Sequence, residues 1–197
     1  MTIHNVQQGT EEWLRLRMGK FTASNFAKLF MGKSTKGYND TINSVVFERL
    51  TDEVPESFSN EWMQRGKELE PHAIEAYQCQ TFSLVERVGF VETNEWIGAS
   101  PDGFIGKKGM IQVKCPRFAT LIDYMLEGVV PKDYMYQMQG EMMVAEREWS
   151  DFYVYHPKLK PILIRVNRDE KIIKEINNKL IEAIATAQER MSLIERV

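Results

Sequence analysis

A chain of 197 residues, 43% hydrophobic and 27% charged, has the size and composition of one soluble globular domain, expected to span residues 1–197. No run of about 18 apolar residues occurs, and MTIHNVQQGTEEW lacks the basic-then-apolar pattern of a secretory leader, so the expectation is a cytosolic protein with no membrane association. A net charge of -3 and two cysteines, Cys79 and Cys115, argue against a uniformly basic surface, a disulfide framework and a CxxC zinc site, while Lys and Arg gathered in one groove stay compatible with nucleic acid.

In chain order, TEEWLRLRMG predicts a short helix capped by Thr10, with Glu11 and Glu12 at the positive end of its dipole, Gly19 ending it, and Trp13 and Leu16 facing a core. TASNFAKLF predicts a second helix start, its free N–H groups near Thr22 and Ser24 favouring an anion. MGKSTKGYND is polar and glycine-bearing and predicts a mobile loop. Helical spacing runs from Thr41 to Leu50 and from Asn60 to about Tyr77, where Pro71 predicts a kink or a new helix beside Glu70. FSLVERVGFVE, EWIGASPDGF and MIQVKCP predict three successive strands at the centre of one sheet. Helices are expected at Thr120–Glu127 and Lys132–Glu146, strands at DFYVYHP and PILIRV, and a long amphipathic helix over Asp169–Val197. The fold class is therefore α/β, a central mixed sheet flanked by helices. Met135, Met138, Met142 and Met143 read as core, and His4, His72 and His156 have no ligand spacing.

The chemistry concentrates in SPDGF and IQVKCP. Hydrolysis of a phosphodiester at neutral pH needs an activated water and neutralised phosphate charge, which Mg²⁺ on a few hard oxygen ligands supplies. Asp102, at a strand start, and residue 112, on the next strand, can bring two such oxygens together, and Lys114 shares the face of residue 112 because side chains alternate along a strand. The second acid is absent: position 112 is glutamine. On spacing alone Asp102-Gly103 is equally a turn and Lys114 an edge residue.

From QGTEEWLRLRMGKFTAS through RGKELEPHAIEAY, GASPDGF and IQVKCP to YMYQMQGEMMV, the chain resembles the phage lambda exonuclease-like, or YqaJ-type, viral recombinases of the PD-(D/E)xK nuclease superfamily, with the motifs in the family's order and with similar gaps. The resemblance implies that Glu70 and Asp102 are metal ligands, that position 112 should be an acidic ligand, that the Val113 carbonyl is a further ligand, and that Lys114 is the catalytic lysine. It implies that Arg17, Ser24 and Ser100 bind a terminal 5′ phosphate and that Gln137 contacts DNA nearby. The implied activity is Mg²⁺-dependent 5′ to 3′ digestion of one strand of duplex DNA, with one or two ions and Mn²⁺ as a substitute. It leaves a 3′ tail for a single-strand annealing partner, in a homotrimer encoded by a phage or prophage. Read without the resemblance, Arg17 is equally a surface arginine beside Trp13, Ser100 a turn former, Gln137 a helix-surface residue and Glu70 a first-turn acid. Gln112 sets a further expectation, a chain that binds DNA but cuts slowly. The alternatives are a structure-specific endonuclease and an inactive module that binds DNA ends.

Overall fold

Thr10 caps as its position demands: its hydroxyl accepts from the Trp13 N–H, and helix α1 runs Glu11–Arg17 with Glu11 and Glu12 in its first turn. The computed structural model describes residues 1–53 and 61–196. Strand β1 (Thr2–His4) precedes α1, and β2 (Phe21–Thr22) leads directly into a 3-10 helix at Ala23–Phe30. The loop expected over MGKSTKGYND is shorter than the sequence suggested. The Thr35 hydroxyl caps helix α2 (Lys36–Thr51), and Tyr38, 2% exposed, anchors its first turn despite Gly37. Helix α3 (Glu61–Thr81) passes through Pro71 without ending, giving up the one backbone bond that proline cannot donate; Asn60, expected at its start, lies outside the described residues.

The single central sheet expected from the three apolar stretches is two sheets. β3 (Phe90–Asn94) and β4 (Ile97–Ala99) join β1 and β2 in the order β1-β3-β4-β2, with β2 parallel to β4 and the other pairs antiparallel. β5 (Gly103–Ile105), β6 (Gly109–Lys114), β7 (Trp149–Val154) and β8 (Ile162–Asn167) form the second, in which only β6 and β7 run parallel. EWIGASPDGF is thus divided between the two sheets at Ser100-Pro101-Asp102, because Pro101 has no N–H for a ladder. FSLVER contributes a single bridge, Glu86 to Phe104, rather than a strand.

Helix α4 spans Phe118–Glu127 and ends on Gly128 at φ 63°, a left-handed cap that favours glycine. Helix α5 spans Lys132–Val144, and α6, capped by Asp169, spans Glu170–Ile194. Two cores set the faces of β6. Ile111 and Val113 pack with Ala73, Ile74 and Tyr77 of α3. Met110 packs with Met138 and Met142 of α5 and with Phe152. Alternation then turns Gln112 and Lys114 toward α5, as the spacing predicted.

Both helices that frame the site are tied to the second sheet by polar anchors. The Tyr77 hydroxyl donates to Asp151 Oδ2 at 2.6 Å, and Arg165 donates to both oxygens of that carboxylate at 2.8 and 2.9 Å while lying over the Trp149 ring. Asp151 is buried, and this fork is what balances its charge. On α5, the Gln139 side chain donates to the Asn167 carbonyl and accepts from the Asp169 N–H, fixing the helix to the β8–α6 corner. Its opposite side meets the 3-10 helix, where Tyr136 stacks on Phe30 with centroids 4.1 Å apart and a Cβ on Gly140 would come within 2.3 Å of the Phe26 ring. Among the described residues no helix is long and apolar enough to cross a membrane.

Candidate active site

Ser100-Pro101-Asp102 joins the two sheets, and the polar groups predicted to act on DNA gather on either side of this junction. On the first-sheet side, α1 delivers Trp13 and Arg17, one helical turn apart, and the guanidinium lies over the indole at 4.4 Å. Arg17 Nη1 donates to Ser100 Oγ at 2.9 Å and Nη2 to Thr22 Oγ1 at 3.2 Å. Trp13 Nε1 also donates to Ser100 Oγ, at 3.0 Å, which leaves the serine's own proton to give away. Thr22 and Ser24 share a hydrogen bond at 3.3 Å, completing a ring of donors around the arginine. The parallel pairing of Thr22 with Gly98 sets the two halves of this ring side by side. Among the described residues Arg17 forms no ion pair, and burial lowers its pKa to about 10, against smaller opposing effects of Glu48 and Glu141. A guanidinium desolvated without a carboxylate partner, ringed by hydroxyls, suits an anion such as phosphate.

On the second-sheet side Asp102 is the hub. Its Oδ2 accepts from Gln112 Nε2 and from the Val113 N–H, both at 2.6 Å. Desolvation raises its pKa to about 6, with Lys114 pulling it down and Glu70 pushing it up. The glutamine's amide faces the aspartate as donor, so its Oε1 accepts, taking a bond from Gln137 Nε2 at 2.8 Å. The same Gln137 nitrogen donates to Glu141 Oε1 at 2.8 Å. Lys114 leaves β6 on the same face, its Nζ 4.5 Å from the centre of the Tyr134 ring. Glu70 stands at the mouth of a cavity of about 470 Å³ that it lines with Val113, Lys114, Cys115 and Tyr134, and there it pairs with Arg87 at 2.7 Å. A larger cleft, about 700 Å³, between residues 5–8 and α3 contains Arg87 but none of the predicted ligands.

The structure therefore brings Arg17, Ser24 and Ser100 into one cluster and Asp102, Gln112, Val113, Lys114 and Gln137 into an adjoining one. Glu70 borders the second but turns its carboxylate to Arg87. Among the described residues no three Asp, Glu, His or Cys side chains converge as a ready metal cluster. The donors nonetheless fit a small hard cation: the Asp102 carboxylate, the Gln112 amide oxygen, the Val113 carbonyl and, on release from Arg87, Glu70. Both cysteines are free, and burial holds the Cys115 thiol up at about 11.

Sequence reasoning missed one residue here. Glu141 is 1% exposed, and its Oε2 is buried with no hydrogen-bond partner among the described residues. Burial first, then Asp102, raises its pKa to about 8, while Gln137, Lys114 and Arg17 draw it down. Its only signal in the sequence is an acid beside Gly140 within a methionine-rich helix face.

Known proteins share this fold. The crystal structure of an alkaline exonuclease from Laribacter hongkongensis, LHK-Exo, superposes with a TM-score of 0.88 at 34% identity, covering 95% of this chain and 97% of that one. LHK-Exo in complex with dAMP matches at 0.89 with the same identity and coverage. A phage-related exonuclease from Haemophilus somnus 129PT shares the fold, with a TM-score of 0.69 at 18% identity over 92% of this chain and 99% of that one. Comparison with curated protein sequences gives no significant match. The model of the YqaJ-like viral recombinase domain matches residues 12–148, the stretch that carries both clusters, and the chain belongs to that family.

Proposed function

We propose that this protein is a Mg²⁺-dependent exonuclease that enters duplex DNA at a 5′-phosphorylated end and digests that strand 5′ to 3′, leaving a 3′ tail for a single-strand annealing partner. The observation that carries the reading is the adjacency of two buried, hydrogen-bonded groups of opposite charge, neither in an ion pair among the described residues. Arg17 with its hydroxyl ring is built for a phosphate, Asp102 with its neighbours for a cation, and Ser100 and Asp102 are two residues apart, at most about 7 Å of backbone. That is the scale of neighbouring phosphates along one strand. A terminal phosphate held at Arg17 places the next linkage at Asp102, and its cleavage releases a mononucleotide. LHK-Exo, an alkaline exonuclease, binds dAMP, which is a product of this kind.

In this scheme Asp102, Gln112, the Val113 carbonyl and Glu70 hold the ion. When bound, Mg²⁺ neutralises phosphate charge and makes water a better nucleophile. Lys114, with its ammonium on the same face as Gln112, orients the attacking water and offsets charge on the phosphate oxygens. Gln137 braces Gln112 from α5 and borders the path of the strand. Ser24, Ser100 and Arg17 hold the end in place while the bond breaks. The family resemblance adds a homotrimeric ring, whose lining would gather basic groups despite the net charge of -3, and a single domain over residues 1–197 acting in the cytoplasm of a phage-bearing host. With no charge at position 112 the ion is held less tightly, and a chain with no other carboxylate there would bind ends yet cut slowly.

The test compares a linear 5′-phosphorylated duplex, the same duplex with 5′-hydroxyl ends, and a closed circle, each with Mg²⁺. Mononucleotides released from the phosphorylated duplex alone support the proposal. Cutting of the circle would assign an endonuclease instead, and end binding with no cutting of any substrate would assign a binding module.

A further inference from the structure

The cation site is one carboxylate short on β6, and α5 carries a buried carboxylate with one oxygen unpartnered among the described residues. Glu141 lies one helical turn after Gln137, and the two meet through the Gln137 amide at 2.8 Å. That amide nitrogen donates equally to Gln112 Oε1 at 2.8 Å, so Glu141 and Gln112 flank one NH₂ group. Glu141 is thus an immediate neighbour of the position where the family pattern calls for an acid.

Glu141 is not used to hold the fold together. Its second oxygen is buried without a partner among the described residues, an arrangement that native proteins avoid unless it serves a purpose. Nor is it tied to Arg17, whose hydrogen bonds go to Ser100 and Thr22. Its charge interacts with Asp102 and Lys114 of one cluster and with Arg17 of the other. A divalent ion requires hard oxygens within reach and is indifferent to the strand or helix that supplies them.

We infer that Glu141 is the acidic metal ligand of this protein, delivered from α5 in place of the acid missing from position 112 on β6. The inference rests on the reading of the site as a divalent-cation nuclease, and it removes the reason to expect impairment, because Glu141 supplies the charge absent at Gln112 once a cation displaces its proton. Gln112 then has a separate task. Its amide donates to Asp102 and keeps that carboxylate in place before a cation arrives, which a glutamate would not do.

Mn²⁺ affinity, measured by electron paramagnetic resonance of the free ion above about pH 8, where both acids are ionised, tests this without turnover. The wild-type chain, Glu141→Gln, Gln112→Glu and the double variant are compared in the absence of DNA, and thermal melts in chelator report folding. Glu141→Gln is expected to lose more than about tenfold in Mn²⁺ affinity, since even outer groups of a metal site cost that much. Gln112→Glu in that background should recover the affinity, because it returns the charge to β6. Wild-type affinity in Glu141→Gln would overturn the assignment and leave the nuclease reading standing. A double variant that folds but stays weak would also overturn it, showing that Glu141 acts through packing. Absence of Mn²⁺ binding by the wild-type chain would instead overturn the cation-dependent reading itself.

Discussion

The two halves of the site are opposites in charge and alike in strain. On the first sheet, Arg17 is a buried cation whose neighbours are hydroxyls, and its pKa is lowered to about 10. On the second, Asp102 and Glu141 are desolvated acids raised to about 6 and about 8. Neither half neutralises the other, although Glu141 feels both Arg17 and Asp102. Each is held by structure that is fully satisfied elsewhere: the Tyr77-Asp151-Arg165 anchor under α3, and the Gln139 bridge and Gly140-Phe26 contact on α5. Under the proposed function the two halves call for three things: a phosphate for one half, a divalent cation for the other, and a short covalent path between them. A DNA end with its metal meets all three conditions.

The sharpest way to break this division is Asp102→Asn. If the second half performs the chemistry, cutting of a 5′-phosphorylated duplex should fall at least about a thousandfold, roughly 4 kcal/mol of transition-state stabilisation, while end affinity changes by only a few-fold. Gel-shift titration beside single-turnover digestion separates the two quantities. Retained cutting would move the chemistry away from the second half altogether.

Arg17→Ala addresses the other half. A charge-assisted contact contributes about 1.5 to 3 kcal/mol, so affinity for a 5′-phosphorylated end should drop about 10- to 100-fold and become equal to that for a 5′-hydroxyl end. Fluorescence anisotropy with both ends measures it. An undiminished preference for the phosphate would mean that the hydroxyl ring, or another group, binds the end.

How far the sequence revealed these halves differs in an instructive way. Arg17, Ser24 and Ser100 lie in motifs with local causes, a capped helix, a helix start and a turn, and the structure brings all three together. The alternation of Gln112 and Lys114 was equally legible, because a strand has one period. The division into two sheets was not, since EWIGASPDGF is apolar and β-rich on both sides of Pro101, and only tertiary packing decides that the ladder stops there. The body of helix α2, Thr41 to Leu50, was legible, but its first turn was hidden by Gly37 and a polar start and is revealed by the burial of Tyr38. Glu141 was hidden most completely: its helix reads as a methionine stripe, and the proximity of its carboxylate to Asp102 depends on how α5 crosses β6, which no local pattern encodes.

The strain on the acid half should appear in stability without any cation. A carboxyl whose pKa is raised from 4.5 to about 8 remains protonated in the folded chain over a range in which the unfolded chain has ionised. The unfolded state therefore binds fewer protons, and folding stability falls as pH rises from about 4.5 to about 8, after which the penalty is complete. Glu141→Gln removes that group, so in chelator its melting temperature should exceed wild type by about 10 °C at pH near 9 and approach it near pH 4. A uniform offset at every pH would indicate a packing effect and not a desolvated charge.

The smallest effect expected is the most discriminating for position 112. If that position alone held the acid half together, Gln112→Glu would accelerate cutting about a thousandfold, returning the roughly 4 kcal/mol that a neutral ligand forfeits. With Glu141 already supplying the charge, the same change adds a second carboxylate beside Asp102, where the amide now donates at 2.6 Å. Like charges so close repel until an ion arrives, and the gain in ion affinity is offset by the loss of that bond. The rate should then change by less than about tenfold, under 1.4 kcal/mol, in either direction. Single-turnover digestion of one 5′-phosphorylated duplex by both chains decides the matter: a large acceleration would return the missing acid to β6 and reduce Glu141 to a buried neighbour, whereas a small one leaves the acid half divided between strand and helix, as the hydrogen bonds of Gln137 join it.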